Sequence, residues 1–171
     1  MSSLSFLKNA KGTDVTALDI TNVFTDAFDV YQLDVINYVN TDLSGYFWGR
    51  YLDSGGTVID QTEYALGYEN MRSYSSWASN VSTADSAFQL GYGQSDKVGS
   101  TGSTTMFFNP ANSSTYTFAT HDIASHVEGS GGAALKGFSV HKNTEAVSGI
   151  RIFAQGSDSI NYIEANIYGV S

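Results

Sequence analysis

The chain has no cysteine, a single proline and few charges for its 171 residues. Without cysteine there is neither a disulfide nor a thiolate metal site. Only 8 residues are basic against 17 acidic, a formal net charge of −9. That balance argues against a nucleic-acid partner, because such binding depends on clusters of Lys and Arg that neutralise phosphates. Lys8 and Lys11 come nearest to a cluster, and two lysines do not make a patch. No apolar run is long enough to span a membrane, and no helix-length apolar period recurs. The start, Met1 to Leu7, lacks the basic and apolar regions of a secretory signal, so the expectation is a protein made in a cytoplasm and kept soluble by its acidity.

What is present is strand material. The 17 glycines, 11 tyrosines and 10 phenylalanines, with many Ser, Thr and Asn, favour strands and tight turns. The clearest pattern runs from Ala133 to Val170, where Ala134, Lys136, Phe138 and Val140 alternate with Leu135, Gly137, Ser139 and His141. Gly149 to Ala154 and Ile163 to Gly169 repeat the alternation, and a period of two buries one row and wets the other. Earlier, Leu4 to Ala10 and Val15 to Phe24 read as short strands. Val30, Leu33, Val35, Ile36 and Val39 break strict alternation, as in a strand covered on both faces or one carrying a bulge.

Tyr46 to Leu52 and Thr57 to Ala65 flank Asp53-Ser54-Gly55-Gly56 and are expected to form a hairpin. Ala87 to Tyr92 reads as a further strand, and Ser103 to Asn109 with Thr115 to Thr120 as a second hairpin around Pro110. Tyr68 to Thr83 fits a helix or a long loop equally, while Gln94 to Gly102 and His121 to Gly132 read as loops. About ten short strands with Gly/Ser/Asn-rich turns predict an all-β fold, a jelly-roll-like β-sandwich forming one domain over residues 1–171.

No catalytic signature interrupts these strands. His121, Asp122 and His126 match no zinc spacing and read as solvated loop residues. His141 reads as a partly exposed strand residue. Gly129-Ser130-Gly131 lacks the setting of a nucleophile elbow, and Gly91-Tyr92-Gly93 opens no βαβ unit. Asp60, Glu63 and Glu69 read as hairpin surface carboxylates, not as a glycosidase pair. Asp53 alone is too few carboxylates for an EF-hand loop. No metal and no cofactor are expected. The aromatics Trp48, Tyr51, Tyr74 and Trp77 have the strongest binding flavour, either as core and subunit contacts or as a platform stacking on sugar rings.

Val23-Phe24-Thr25 leading to Phe28-Asp29-Val30-Tyr31-Gln32, the Leu52 to Ile59 turn, the Asn109 to Phe118 segment, and the closing Val147 to Ile152 and Ile167 to Val170 resemble small virion structural proteins of tailed bacteriophages, a group associated with marine and cyanobacterial hosts. The resemblance runs through nearly the whole chain in order and carries over no site residues. It implies a non-enzymatic β-sandwich subunit of a virion. The expected assembly is a homotrimer contacting other virion proteins, as capsid decoration or cement or as a tail-associated protein. A first strand so close to Met1 favours those roles over a complete adsorption fibre. The alternative expectation is a carbohydrate- or receptor-binding module at a fibre or tail tip, using exposed aromatics on a host surface glycan.

Overall fold

The structure is a computed structural model that describes residues 3–41, 45–92, 101–127, 130–156 and 158–171. Among these residues there is no helix, and so none long and apolar enough to cross a membrane. The strands are β1 (Leu4–Val15), β2 (Ala17–Ile20), β3 (Val30–Asn40), β4 (Tyr46–Asp53), β5 (Tyr64–Arg72), β6 (Ala78–Asp85), β7 (Phe88–Tyr92), β8 (Gly102–Phe108), β9 (Thr117–Val127), β10 (Gly131–His141), β11 (Val147–Ala154) and β12 (Ile160–Val170). They form an eight-stranded sheet in the order β1-β12-β3-β8-β9-β10-β5-β6 and a four-stranded sheet in the order β2-β11-β4-β7. Every described pairing is antiparallel, and the expected all-β sandwich is what the chain forms.

Aromatic residues fill the space between the sheets. Tyr31, Tyr38, Phe47, Tyr51, Tyr64, Phe88 and Phe107 are fully enclosed with Ile20, Leu33, Ile150, Ile152, Ile163 and Ile167. Rings meet in offset and edge-on pairs, such as Tyr38 with Phe47 at 4.2 Å and Tyr51 with Phe88 at 5.1 Å between centroids. Such pairs add about 0.5–1.5 kcal/mol beyond the area they bury. The Tyr64 hydroxyl is satisfied inside this core: it accepts from the Tyr51 N–H at 3.1 Å and donates to the Ile59 carbonyl at 2.9 Å. A smaller cluster of Leu66, Tyr68, Tyr92, Ile123, Ala133 and Leu135 continues the core, with Tyr46 and Trp48 packed against it.

Several expectations are met in detail. The irregular run in β3 carries a bulge: pairing with β12 slips between Asn37 and Val35, which leaves Ile36 out of register and 51% exposed. Asp53 to Gly56 is a tight turn, with Asp53 Oδ1 accepting from the N–H groups of Gly55 and Thr57 at 2.8 Å. Gly56 sits there at φ +82°, where a Cβ is disfavoured. The β8–β9 hairpin forms as expected, with Phe108 opposite Phe118.

Other expectations are corrected. The Asp53–Gly56 turn does not return the chain into a hairpin. After a single bridge between Leu52 and Val58, residues 59–63 cross from the smaller sheet to the larger one, where β5 pairs with β6 and β10. Residues 68–83, open between helix and loop, are strand over most of their length, in β5 and β6. His121 to Val127 is strand as well, because β9 runs the full length of β10. The loop expected between residues 94 and 102 and the Gly129-Ser130-Gly131 and Gly91-Tyr92-Gly93 segments lie partly or wholly outside the described residues.

Candidate functional site

The outward face of the eight-stranded sheet holds a trough of about 1010 Å³. Cross-strand register builds its floor. Asn9 stands opposite Asn166, Asn166 opposite Asp34, Asp34 opposite Thr104, Thr104 opposite Asp122, Asp122 opposite Lys136, Lys136 opposite Glu69, and Glu69 opposite Ser79. One polar residue from each of eight strands therefore falls in a single row. At the ~4.7–4.9 Å spacing of neighbouring strands the row is about 33 Å long. The trough occupies its middle, from Asp34 to Glu69.

The row is organised by its own hydrogen bonds. Gln32 Nε2 donates to both Asp34 oxygens at 2.9 and 3.0 Å, and the Thr104 hydroxyl donates to Asp34 Oδ1 at 2.9 Å. Lys136 Nζ reaches Asp122 Oδ2 at 3.3 Å, with both side chains largely in solvent. Three carboxylates (Asp34, Asp122 and Glu69) thus face one ammonium in the trough. Its charge is net negative, like that of the chain.

Apolar side chains border the row. In the next register row, Phe138 stands opposite Thr120, Thr120 opposite Met106, and Phe138 opposite Gly67 across the other edge of β10. A Cβ on Gly67 would come within 2.9 Å of Phe138 Cε1, so the missing side chain is what lets this ring lie across β5. Phe138 is 52% exposed and Trp77, just ahead of β6, is 69% exposed, and both line the trough. Large rings held at a sheet surface with no protein partner over them are the residues most often found on a binding face.

Of the four aromatics picked out from the sequence, Trp77 is in the trough. Tyr51 is fully enclosed in the core, because it shares strand parity with Phe47 on the inner face of β4. Trp48 is half-buried beside Tyr46 against the smaller core cluster. Tyr74 is 38% exposed in the turn after β5 and does not line the trough. Phe138 carries no sequence signal of its own as a binding residue; its exposure rests on its place on the outward row of β10.

The histidines are placed differently from expectation. His121 is buried on the inner face of β9, under the trough floor, and Asp122 points outward, so the two do not converge on an ion. Its ring lies against Phe88 at 5.6 Å and bridges the Thr105 hydroxyl at 3.0 Å and the Ser139 hydroxyl at 2.9 Å. Burial pushes its pKa from 6.5 down to about 3, so it is neutral at physiological pH. His141 is not half-exposed either: it is wholly enclosed, with Nε2 3.2 Å from Glu63 Oε2 and 3.6 Å from Glu145 Oε1. Glu63 is therefore part of a side-chain cluster. Asp60 and Glu69 lie apart from it, at the exposed surface and in the trough.

No protein-family model matches the chain, and no curated protein matches it. Among solved structures, the chain is similar to the marine PL-14 alginate lyase from Aplysia kurodai, with a TM-score of 0.38 and 9% identity over 99% of this chain and 82% of that one. That neighbour is an enzyme, and the expectation of a non-enzymatic structural subunit of a virion is corrected on this finding. At this distance the likeness assigns no activity, substrate or residue here. It withdraws the exclusion of an enzyme and puts no reaction in its place.

Proposed function

We propose that the trough on the larger sheet binds an extended, uncharged polysaccharide. The observation that carries this reading is that two exposed rings, Phe138 laid over Gly67 and Trp77 just ahead of β6, line the same trough as a polar row that crosses the sheet. Sugar rings present an apolar C–H face that stacks on aromatic rings, and a rim of hydroxyls that bond to carboxylates, amides and hydroxyls. The trough offers both, side by side and in a line. Its net negative charge disfavours a polyuronate, because like charges repel even where solvent screens them in part.

Affinity electrophoresis against immobilised neutral polysaccharides, with alginate as the polyanionic control, tests the proposal. Retardation by at least one neutral chain and none by alginate is expected. Retardation by alginate alone, or by no glycan in the panel, overturns it. Sizing the polysaccharide after the same incubation shows whether bound chains are also cut.

A further inference from the structure

We infer that Glu63, His141 and Glu145 form a divalent-cation site, with Zn²⁺ the expected occupant, at the end of the sandwich away from the trough residues. Glu63 immediately precedes β5, His141 closes β10, and Glu145 lies in the connection from β10 to β11. One ligand atom from each lies within 4.8 Å of the other two. Four-coordinate zinc holds N and O ligands at about 2.0–2.2 Å, which sets neighbouring ligand atoms about 3.3–3.6 Å apart at tetrahedral angles. His141 Nε2 stands 3.2 Å from Glu63 Oε2 and 3.6 Å from Glu145 Oε1, which is that spacing.

Two further observations point to a ligand. The imidazole is completely enclosed, against the rings of Tyr64 at 5.2 Å and Tyr51 at 5.6 Å, and has no polar partner outside the cluster: its Nδ1 bonds to nothing among the described residues. Nε2 is the nitrogen turned towards the carboxylates, and its polar contacts among the described residues are to Glu63 and Glu145 alone, the arrangement of a converging ligand set. The counter-charge is also missing. Among the described residues no Lys or Arg pairs with either glutamate. Lys142, the next residue in the chain, sends its ammonium to the Thr83 carbonyl instead. The two carboxylates together carry −2, which a divalent ion neutralises. One imidazole nitrogen with carboxylate oxygens suits zinc better than calcium, whose sites are built from oxygen. Asn143 Nδ2 donates to Glu145 Oε1 at 3.2 Å and so helps to hold that carboxylate in place. Water completes the fourth position on the open side, where each glutamate keeps a third of its side-chain surface.

The ion would clasp the segment that crosses between the sheets to the end of β10, so its effect is read as stability as well as binding. Calorimetric titration of the EDTA-treated full chain with ZnCl₂ is expected to show one site, and Tm is expected to rise with added Zn²⁺. Glu145→Gln and, separately, Glu63→Gln are expected to weaken binding at least about tenfold, as loss of a direct ligand should exceed loss of an outer partner. Both should erase the Tm rise while leaving the far-UV spectrum of the metal-free chain unchanged. His126→Ala removes an exposed imidazole elsewhere and is expected to change neither readout. No binding by the unmodified chain overturns the inference, as does binding that His126→Ala abolishes and the two glutamine variants keep.

Discussion

Acidifying the protein should destabilise it through His121 before its exposed carboxylates titrate. The buried imidazole is held neutral between Thr105 and Ser139, with its folded pKa near 3 against 6.5 for a free side chain. Below pH 6.5 the unfolded chain takes up a proton that the folded chain refuses, so unfolding is favoured as pH falls. The contribution is complete above pH 6.5 and is lost progressively down to about pH 3. One proton shifts stability by about 1.4 kcal/mol per pH unit inside that window. Between pH 7 and pH 5 the loss is about 2 kcal/mol, and over the whole window about 5 kcal/mol. Urea denaturation followed by tryptophan fluorescence, at pH 7 and pH 5, measures it. His121→Gln keeps a hydrogen-bonding group and cannot take up this proton. The unmodified chain should therefore lose about 2 kcal/mol more than the variant across the interval. Equal losses would mean that the folded protein protonates His121 freely and that the ring is not sealed under β9.

Tyr64→Phe should cost about 1–3 kcal/mol by denaturant titration, since it orphans the Tyr51 N–H and the Ile59 carbonyl in the core. Tyr51→Phe, at the adjoining ring, should be neutral or stabilising, because its hydroxyl is buried with no partner among the described residues. A comparable loss in both variants would refute this reading of the core. Gly67→Ala should change stability by less than about 1 kcal/mol, since the side chain it meets is the exposed end of Phe138. By lifting that ring it should still weaken retardation on neutral polysaccharide, and an unchanged mobility would show that the ring's position does not matter.

The parts of the fold that were legible in the sequence are those where alternation is clean. β10, β11 and β12 announce themselves through rows such as Leu135, Gly137, Ser139 against Lys136, Phe138, Val140. The continuation of β9 from His121 to Val127 does not read as strand because both its faces are polar: His121 and Ser125 stand on the row that Ile123 buries, so period-two contrast disappears. The false hairpin after Asp53 followed from correct turn chemistry, since Gly56 does take the positive φ. What local sequence does not encode is that β5 finds β10, some seventy residues on, instead of β4. Strand parity alone separates Tyr51, on the Phe47 face, from Trp48. The trough was not legible beyond Trp77, because its row takes one residue from each strand and only register aligns them. The same holds for Glu63, His141 and Glu145, which are brought together by the crossing of residues 59–63 between sheets.

The central claim is that Trp77 and Phe138 form the stacking surface for a neutral polysaccharide. It is tested most directly by calorimetric titration of that glycan into the unmodified chain and the Trp77→Ala/Phe138→Ala variant, with Tm recorded for both. At about 1 kcal/mol per ring, the double variant should bind roughly thirtyfold more weakly at an unchanged Tm. Equal affinity in the two proteins would contradict it.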